Sequence, residues 1–465
     1  MTTSKSSIIK LLEHCYIKPQ PTSSPPTTSL PLTFLDLPWL FFPPSKPLFF
    51  YQFPHPISHF TSTVLPKLKL SLSLTLQHFY PFAGTLILPN QPDKPHIVCS
   101  QNDAVSFTVS ESNADFDHLS SNFQRDVTKF HPLVPELPSP FEALETKLPL
   151  LSIRVSIFPN AGFCIGFAYQ HVVADGRTFN NFISTWALFC SSITLEDSSS
   201  PIKINPILPS YDRKVIVDSK GLEAIFLKEW WKRRSRSIST SIETTDSAVT
   251  EFVRATFSVS LSDMERIKRW ILTQCSKKNE ESFSLYLSPY VLASAFVWVC
   301  LVKAQSPYES YSGQDPVYFG FIAGGLTRIG YPVPPNYFGN CVGFGRSTAT
   351  RGELLGEDGV LIAARAVGNT IKSLDKRIFS GADKWVSEWA VMLGSGEHVT
   401  VSGSPKMDLY ARDFGWGRPK KIEEIDIEGR MGISFVESRE AKGGIEVGLV
   451  LPKSKMDDFT ILFNE

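Results

Sequence analysis

His171 and Asp175 stand at i, i+4 in the run His171-Val172-Val173-Ala174-Asp175-Gly176-Arg177. An imidazole, with an unperturbed pKa of ~6.5, is the side chain best matched to proton transfer near neutral pH, so His171 is a candidate general base. The competing reading is a hydrogen-bonded structural histidine. No metal site is expected, because the other histidines are dispersed and supply no second ligand cluster. A second run, Asp413-Phe414-Gly415-Trp416-Gly417, continues into Arg418-Pro419-Lys420-Lys421 and offers another acid. Its first three residues match a kinase magnesium loop, yet no Gly-rich nucleotide loop, lysine strand or catalytic loop accompanies them, which excludes that chemistry. On physical grounds it reads as a glycine-hinged turn anchored by aromatics. A third cluster, from Pro332 through Asn336, Tyr337, Phe338, Gly339 and Asn340 to Cys341, reads as a proline-stiffened loop with polar tips.

Elements must hold these residues still. Residues 150–158 alternate and are β-branched, 159–162 (Pro-Asn-Ala-Gly) supply a turn, and 163–170 form a second apolar strand, which predicts a buried hairpin ending at His171. After it, Phe179, Phe182, Ile183, Trp186 and Ala187 recur at helical spacing. Strand, short polar loop and helix form a rigid base for reactive side chains. Upstream, the proline-rich 18–62 predicts a short strand and then a packed connection, and 58–78 predicts a helix broken or kinked at Pro66. The Ser/Pro-rich segment 191–213 predicts a crossover between domains. Beyond it, 216–235, 261–275 and 287–304 read as helices, and 316–323 and 445–451 as strands.

Composition narrows the partners. The 465 residues carry 46 Lys+Arg against 46 Asp+Glu, and a net charge of zero excludes an electrostatically driven binder of nucleic acid or acidic membrane. The seven Cys are scattered without a paired spacing, against both a disulfide framework and zinc. The N-terminus lacks a signal-peptide pattern and no apolar run reaches the ~18 residues of a membrane span, so a cytosolic protein is expected. The 34 Phe predict a pocket with flat apolar walls.

Taken together and in this order, the HVVAD, YFGNC and DFGWG segments resemble the signature set of the plant BAHD acyltransferases. The stretches LPLTFLDLPWL, LSLTLQHFYPFAGTL (72–86) and SGSPKMDLYARDFGWGRPKK (402–421) extend the resemblance over essentially the whole chain, and YFGNC and SGSP are similar to the clade acting on anthocyanins and other flavonoid glycosides. The resemblance implies a two-domain α/β fold like chloramphenicol acetyltransferase, with mixed sheets, helices and an active-site channel at the domain interface. The domains would be residues 1–190 and 214–465, joined by the 191–213 linker.

The implied activity is acyl transfer from a coenzyme A thioester, malonyl-CoA being the preferred donor, to a sugar hydroxyl of a phenolic glycoside. His171 would be the base, with no acyl-enzyme, no bound cofactor, no metal and no nucleic-acid or membrane partner, in a monomer. Alternatives are an aromatic acyl donor, another alcohol or amine acceptor, or a non-catalytic CoA- or flavonoid-binding relative. By the same resemblance Asp175 supports the loop and pairs with an Arg. The family's Asp-x-Arg-x-Arg run is Gly324-Gly325-Leu326-Thr327-Arg328 here, so Arg328 or another Arg must serve Asp175. Asp413 is expected to shape the fold at a distance from the chemistry. Ser402 is a candidate oxyanion or acceptor contact. Ser288 at a helix start and Lys277 beside Lys278 are candidates for CoA phosphates, and Arg177 for a malonyl carboxylate.

Overall fold

The alternation at 150–170 folds as an antiparallel hairpin, Leu151–Phe158 against Gly162–Tyr169. A computed structural model describes it together with residues 9–21, 29–193, 207–239, 251–278, 285–305, 313–428 and 432–465. Asn160, at φ 62°, closes the turn in a left-handed conformation that its short polar side chain tolerates. Every residue of Gly162–Tyr169 is buried. Phe163, Ile165, Phe167 and Tyr169 enter the main core, whereas Cys164 joins a smaller one with Leu48, Phe50 and Phe130. Burial on both faces explains why this strand reads as a continuous apolar run.

Among the described residues the hairpin lies inside a six-stranded mixed sheet ordered Ile9–Ile17, Val105–Ser112, Leu151–Phe158, Gly162–Tyr169, Pro47–Gln52 and Lys421–Glu424. A seven-stranded mixed sheet runs Val342–Thr350, Pro316–Gly324, His398–Ser402, Gly432–Glu437, Ile445–Pro452, Phe252–Val259 and Arg125–Asp126. A small four-stranded sheet flanks the first. The two large sheets exchange strands. Lys421–Glu424, late in the chain, pairs with Pro47–Gln52, and Arg125–Asp126, early in the chain, pairs with Phe252–Val259. Chain order therefore crosses the expected 191–213 boundary in both directions; residues 194–206 of that linker lie outside the described residues.

Helices form near where the periodicity placed them, at Leu222–Ser239, Leu261–Lys277 and Pro289–Gln305. The second begins with a capping box, Ser260 and Asp263 each bonding the other's backbone. At the expected kink the helix does not break. One π turn, Phe60–Val64, separates Ile57–His59 from Leu65–His78, because Pro66 has no N–H to continue the ladder and the widened turn absorbs the misfit. The described part of the proline-rich 18–62, residues 18–21 and 29–62, is more ordered than its composition implied. It holds the strands Ser29–Pro31 and Pro47–Gln52 and the tight turn Leu37–Phe41, with Pro47 at a strand's first residue, where a missing donor is tolerated. Among the described residues no helix is long and apolar enough to cross a membrane.

Candidate active site

His171 follows the buried strand Gly162–Tyr169 by two residues, and Asp175 opens the helix Gly176–Ser192 that comes next. Asp175 is buried, and its carboxylate does three things. One oxygen accepts the N-cap bond from Thr178 N at 2.8 Å, the other accepts from Cys341 N at 3.0 Å, and Arg177 Nη2 stands 3.6 Å away. It thus pins the loop after His171 to the helix and to the far loop. The cationic partner of Asp175 is Arg177. Arg328, the candidate from the altered run, bonds Asp375 at 2.5 Å and the Gly324 carbonyl instead.

The loop holds His171 against an aromatic plate. Trp39, from the turn Leu37–Phe41, stacks on the imidazole with centroids 3.4 Å apart and planes 14° from parallel. Asn340 Nδ2 donates to the carbonyls of His171 and Val172 at 3.0 and 3.3 Å. Enclosure lowers the His171 pKa from 6.5 to about 4, against weaker support for the protonated ring from Asp175, its own carbonyl, Asn340 and Asp36. At pH 7 the imidazole is neutral and able to take a proton. Its Nδ1 has no partner in the geometry of the described residues. Cys341, the one thiol in this cluster, is pushed by burial up to about 12, which denies it a thiolate at neutral pH.

Trp39 also meets Phe42 and Phe344, with ring centroids 5.3 and 5.2 Å away. These two rings belong to a cleft of about 150 Å³ lined further by Phe41, Phe141, Trp385 and Trp389. A dry apolar cavity of ~150 Å³ accepts one benzene-sized ring. The flat apolar walls expected from the phenylalanine count lie against Trp39, one ring removed from the histidine, and Arg233 at the cleft is engaged by Glu229.

Arg177 takes another role than the one expected for it. In place of a free guanidinium for a malonyl carboxylate, the structure shows one that donates to the carbonyls of Pro335 (2.9 Å) and Tyr337 (2.8 Å) and lies beside Asp175. It staples the proline-rich loop to the helix start. Arg177→Ala is therefore expected to depress activity with malonyl-CoA and acetyl-CoA by the same factor, through a loosened loop; steady-state kinetics with both donors checks this, and a KM rise confined to malonyl-CoA would restore the residue to donor selection. Asp413 is exposed, and its Oδ1 accepts from Gly415 N (2.7 Å) and Gly417 N (2.9 Å) to close its own turn. Both glycines have positive φ, at 104° and 98°. The turn drives Phe414 edge-on against Tyr51 and Trp186 and lays Trp416 near Phe163. Phe163 lies eight residues before His171, a span of ~26 Å along an extended strand, so the turn that Asp413 closes packs at a distance from the histidine.

The remaining candidates are not brought into the His171 cluster by any contact among the described residues. Ser402 ends the strand His398–Ser402 opposite Ser434. Ser288 Oγ accepts from Val291 N at 3.4 Å at the start of Pro289–Gln305, and Lys277 is exposed at the end of Leu261–Lys277. Conversely, sequence reasoning gave no role to Trp39, Asp36 or Asn340. The signal lay in the stretches that carry the family resemblance, LPLTFLDLPWL and YFGNC.

Two mixed sheets that trade strands around a clamped histidine loop define a two-domain α/β class. The crystal structure of vinorine synthase shares this fold at a TM-score of 0.69 and 17% identity, covering 97% of this chain and 96% of that one. A model of the transferase family matches residues 9–464. Similar full-length relatives include the coumaroyl-CoA:anthocyanidin 3-O-glucoside-6''-O-coumaroyltransferase 1 of Arabidopsis thaliana, 35% identical over 98% of this chain and 97% of that protein. The malonyl-coenzyme:anthocyanin 5-O-glucoside-6'''-O-malonyltransferase of Salvia splendens is 36% identical over 97% and 94%. The chain belongs to the transferase family, the BAHD acyltransferases that its motifs resemble, and is a CoA-dependent acyltransferase.

Proposed function

We propose that this chain moves an acyl group from a coenzyme A thioester to a sugar hydroxyl of a phenolic glycoside, with His171 as the general base. The observation that carries it is the neutral, half-buried imidazole at the strand exit, held on one face by Trp39 and backed by an aromatic cleft. His171 takes the hydroxyl proton as the oxygen attacks the thioester carbonyl. The tetrahedral oxyanion then collapses, the carbon–sulfur bond breaks, and the proton passes from His171 to the leaving thiolate. Ser402 is the proposed contact for the oxyanion, and Ser288 and Lys277 the proposed contacts for CoA phosphates. We keep malonyl-CoA as the donor, the cleft then holding a ring of the acceptor. A second reading has the cleft itself in its favour: its volume fits a single phenolic ring, so that a coumaroyl donor would occupy it. The two halves on either side of 191–213 act as one monomeric unit in the cytosol.

The deciding experiment is a matrix of malonyl-, acetyl- and coumaroyl-CoA against anthocyanin glucosides, simple phenolic glucosides, their aglycones and an amine, read by product mass. Acylated glucosides with at least one donor are expected. Coumaroyl transfer alone would replace the malonyl reading, and products confined to the amine would overturn the glycoside acceptor.

A further inference from the structure

Asp36 is fully buried, and the acyl transfer described above makes no direct use of it. Four donors converge on its carboxylate. Thr33 N and Thr33 Oγ1 donate to one oxygen at 2.7 and 2.8 Å, and Asn340 N and Nδ2 donate to the other, both at 3.0 Å. The Asp36 carbonyl accepts from Trp39 N at 3.1 Å at the entry of the turn Leu37–Phe41. One residue thereby touches both supports of the histidine: the turn whose Trp39 stacks on the ring, and the amide whose Nδ2 continues to the His171 and Val172 carbonyls.

We infer that Asp36 is a positioning residue for His171, its carboxylate fixing the Trp39 plate and the Asn340 clamp in register across the two halves of the chain. An acceptor-only group is required there. An amide in its place would turn N–H groups toward donors already pointing inward. The fold also provides for the charge. Arg213, with its side chain 8% exposed, stands with Nη1 3.5 Å from Asp36 and donates to the Tyr337 hydroxyl at 2.7 Å. Gly339 makes room for it. At φ 130° it occupies a backbone region that other residues avoid, and a Cβ on it would lie 2.2 Å from Arg213 Nη1. Asp36, Arg213, Gly339 and Asn340 thus form one buried unit joining the segment after residue 29, the segment after residue 207 and the YFGNC loop.

The inference rests on His171 being the base, and its test separates the two ideas. Asp36→Asn alone strands the buried Arg213, so it is paired with the double variant Asp36→Asn/Arg213→Met, which removes both charges. For the double variant, kcat is expected to fall roughly 10–100-fold while KM for donor and acceptor stays within about threefold, since a displaced base loses rate without losing substrate contacts. Recovery of wild-type kcat in the double variant would mean that Asp36 only neutralises Arg213, and would overturn the inference. Asn340→Ala guards against misfolding of the Asp36 variants. It removes the clamp and leaves the charges in place; a similar kcat loss at constant KM supports the inference, and unchanged kcat overturns it. A His171→Ala enzyme that keeps its turnover would instead overturn the base reading itself, and this inference with it.

Discussion

His171→Ala is expected to lower kcat by roughly 10²–10⁴-fold, the range of a correctly placed general base, while acyl-CoA still binds. The prediction follows from what the side chain touches. The ring is packed on Trp39 and is neutral, so its removal takes away proton transfer and some stacking and leaves no stranded charge. Turnover at saturating substrate, with donor affinity measured by calorimetry, checks it; wild-type turnover in the variant would sink the catalytic assignment, and loss of donor binding without loss of kcat would make His171 a binding residue. The pH profile carries the same signature. Because enclosure lowers the folded pKa to about 4, the imidazole is deprotonated through the neutral range, and kcat/KM should hold level as pH falls past ~6.5 and decline only near 4. A histidine held neutral in the fold contributes stability that is complete above its unfolded pKa and is lost as pH falls from there toward the folded one.

The parts of this site that were legible in the sequence are those set by local rules. The hairpin, the capped helix and the placement of His171 between them follow from alternation, a Pro-Asn-Ala-Gly turn and an Asp at an N-cap, each readable within about ten residues. The partners of that loop were not legible, because they come from far along the chain. Asn340 reaches His171 across 169 positions and Asp36 across 304 to Asn340, and no periodicity reports such a contact. Arg177 shows the opposite error. Its place beside the motif in sequence suggests a group free for a ligand, yet the proline-rich loop from residue 335 onward takes its hydrogen bonds. The strand Pro47–Gln52 was hidden by the prolines around it, which mark the strand's edge without preventing its pairing with Gly162–Tyr169.

Glu423→Gln is expected to be strongly destabilising, costing about 3–5 kcal/mol at neutral pH, because it leaves two buried guanidiniums without their shared counter-charge, Arg254 keeping only its pair with Glu428. Glu423 lies on Lys421–Glu424, the strand that the late chain lends to the first sheet. Its two oxygens accept from Arg125 Nη1 at 2.6 Å and Arg254 Nη1 at 3.1 Å, and both guanidiniums are fully buried. Arg125 and Arg254 face each other where Arg125–Asp126, the strand that the early chain lends to the second sheet, pairs with Phe252–Val259. One carboxylate therefore ties both strand exchanges together. Burial would raise the Glu423 pKa, but Arg125, Lys421 and Arg254 outweigh it and hold the carboxyl below its usual range. Its contribution is thus fully present above the unfolded pKa of ~4.3 and is lost as pH falls through the folded value. The Glu423→Gln variant lacks that acid-dependent share, so the wild-type and variant unfolding midpoints should differ widely at pH 7 and converge toward acid. Equal midpoints at pH 7 would show that the network adds nothing. The consequence reaches the chemistry, since Asn340, Cys341 and Tyr337, which clamp the His171 loop, come from the half that this junction aligns with the hairpin. Turnover of the variant should therefore decline at temperatures where its strands are still folded.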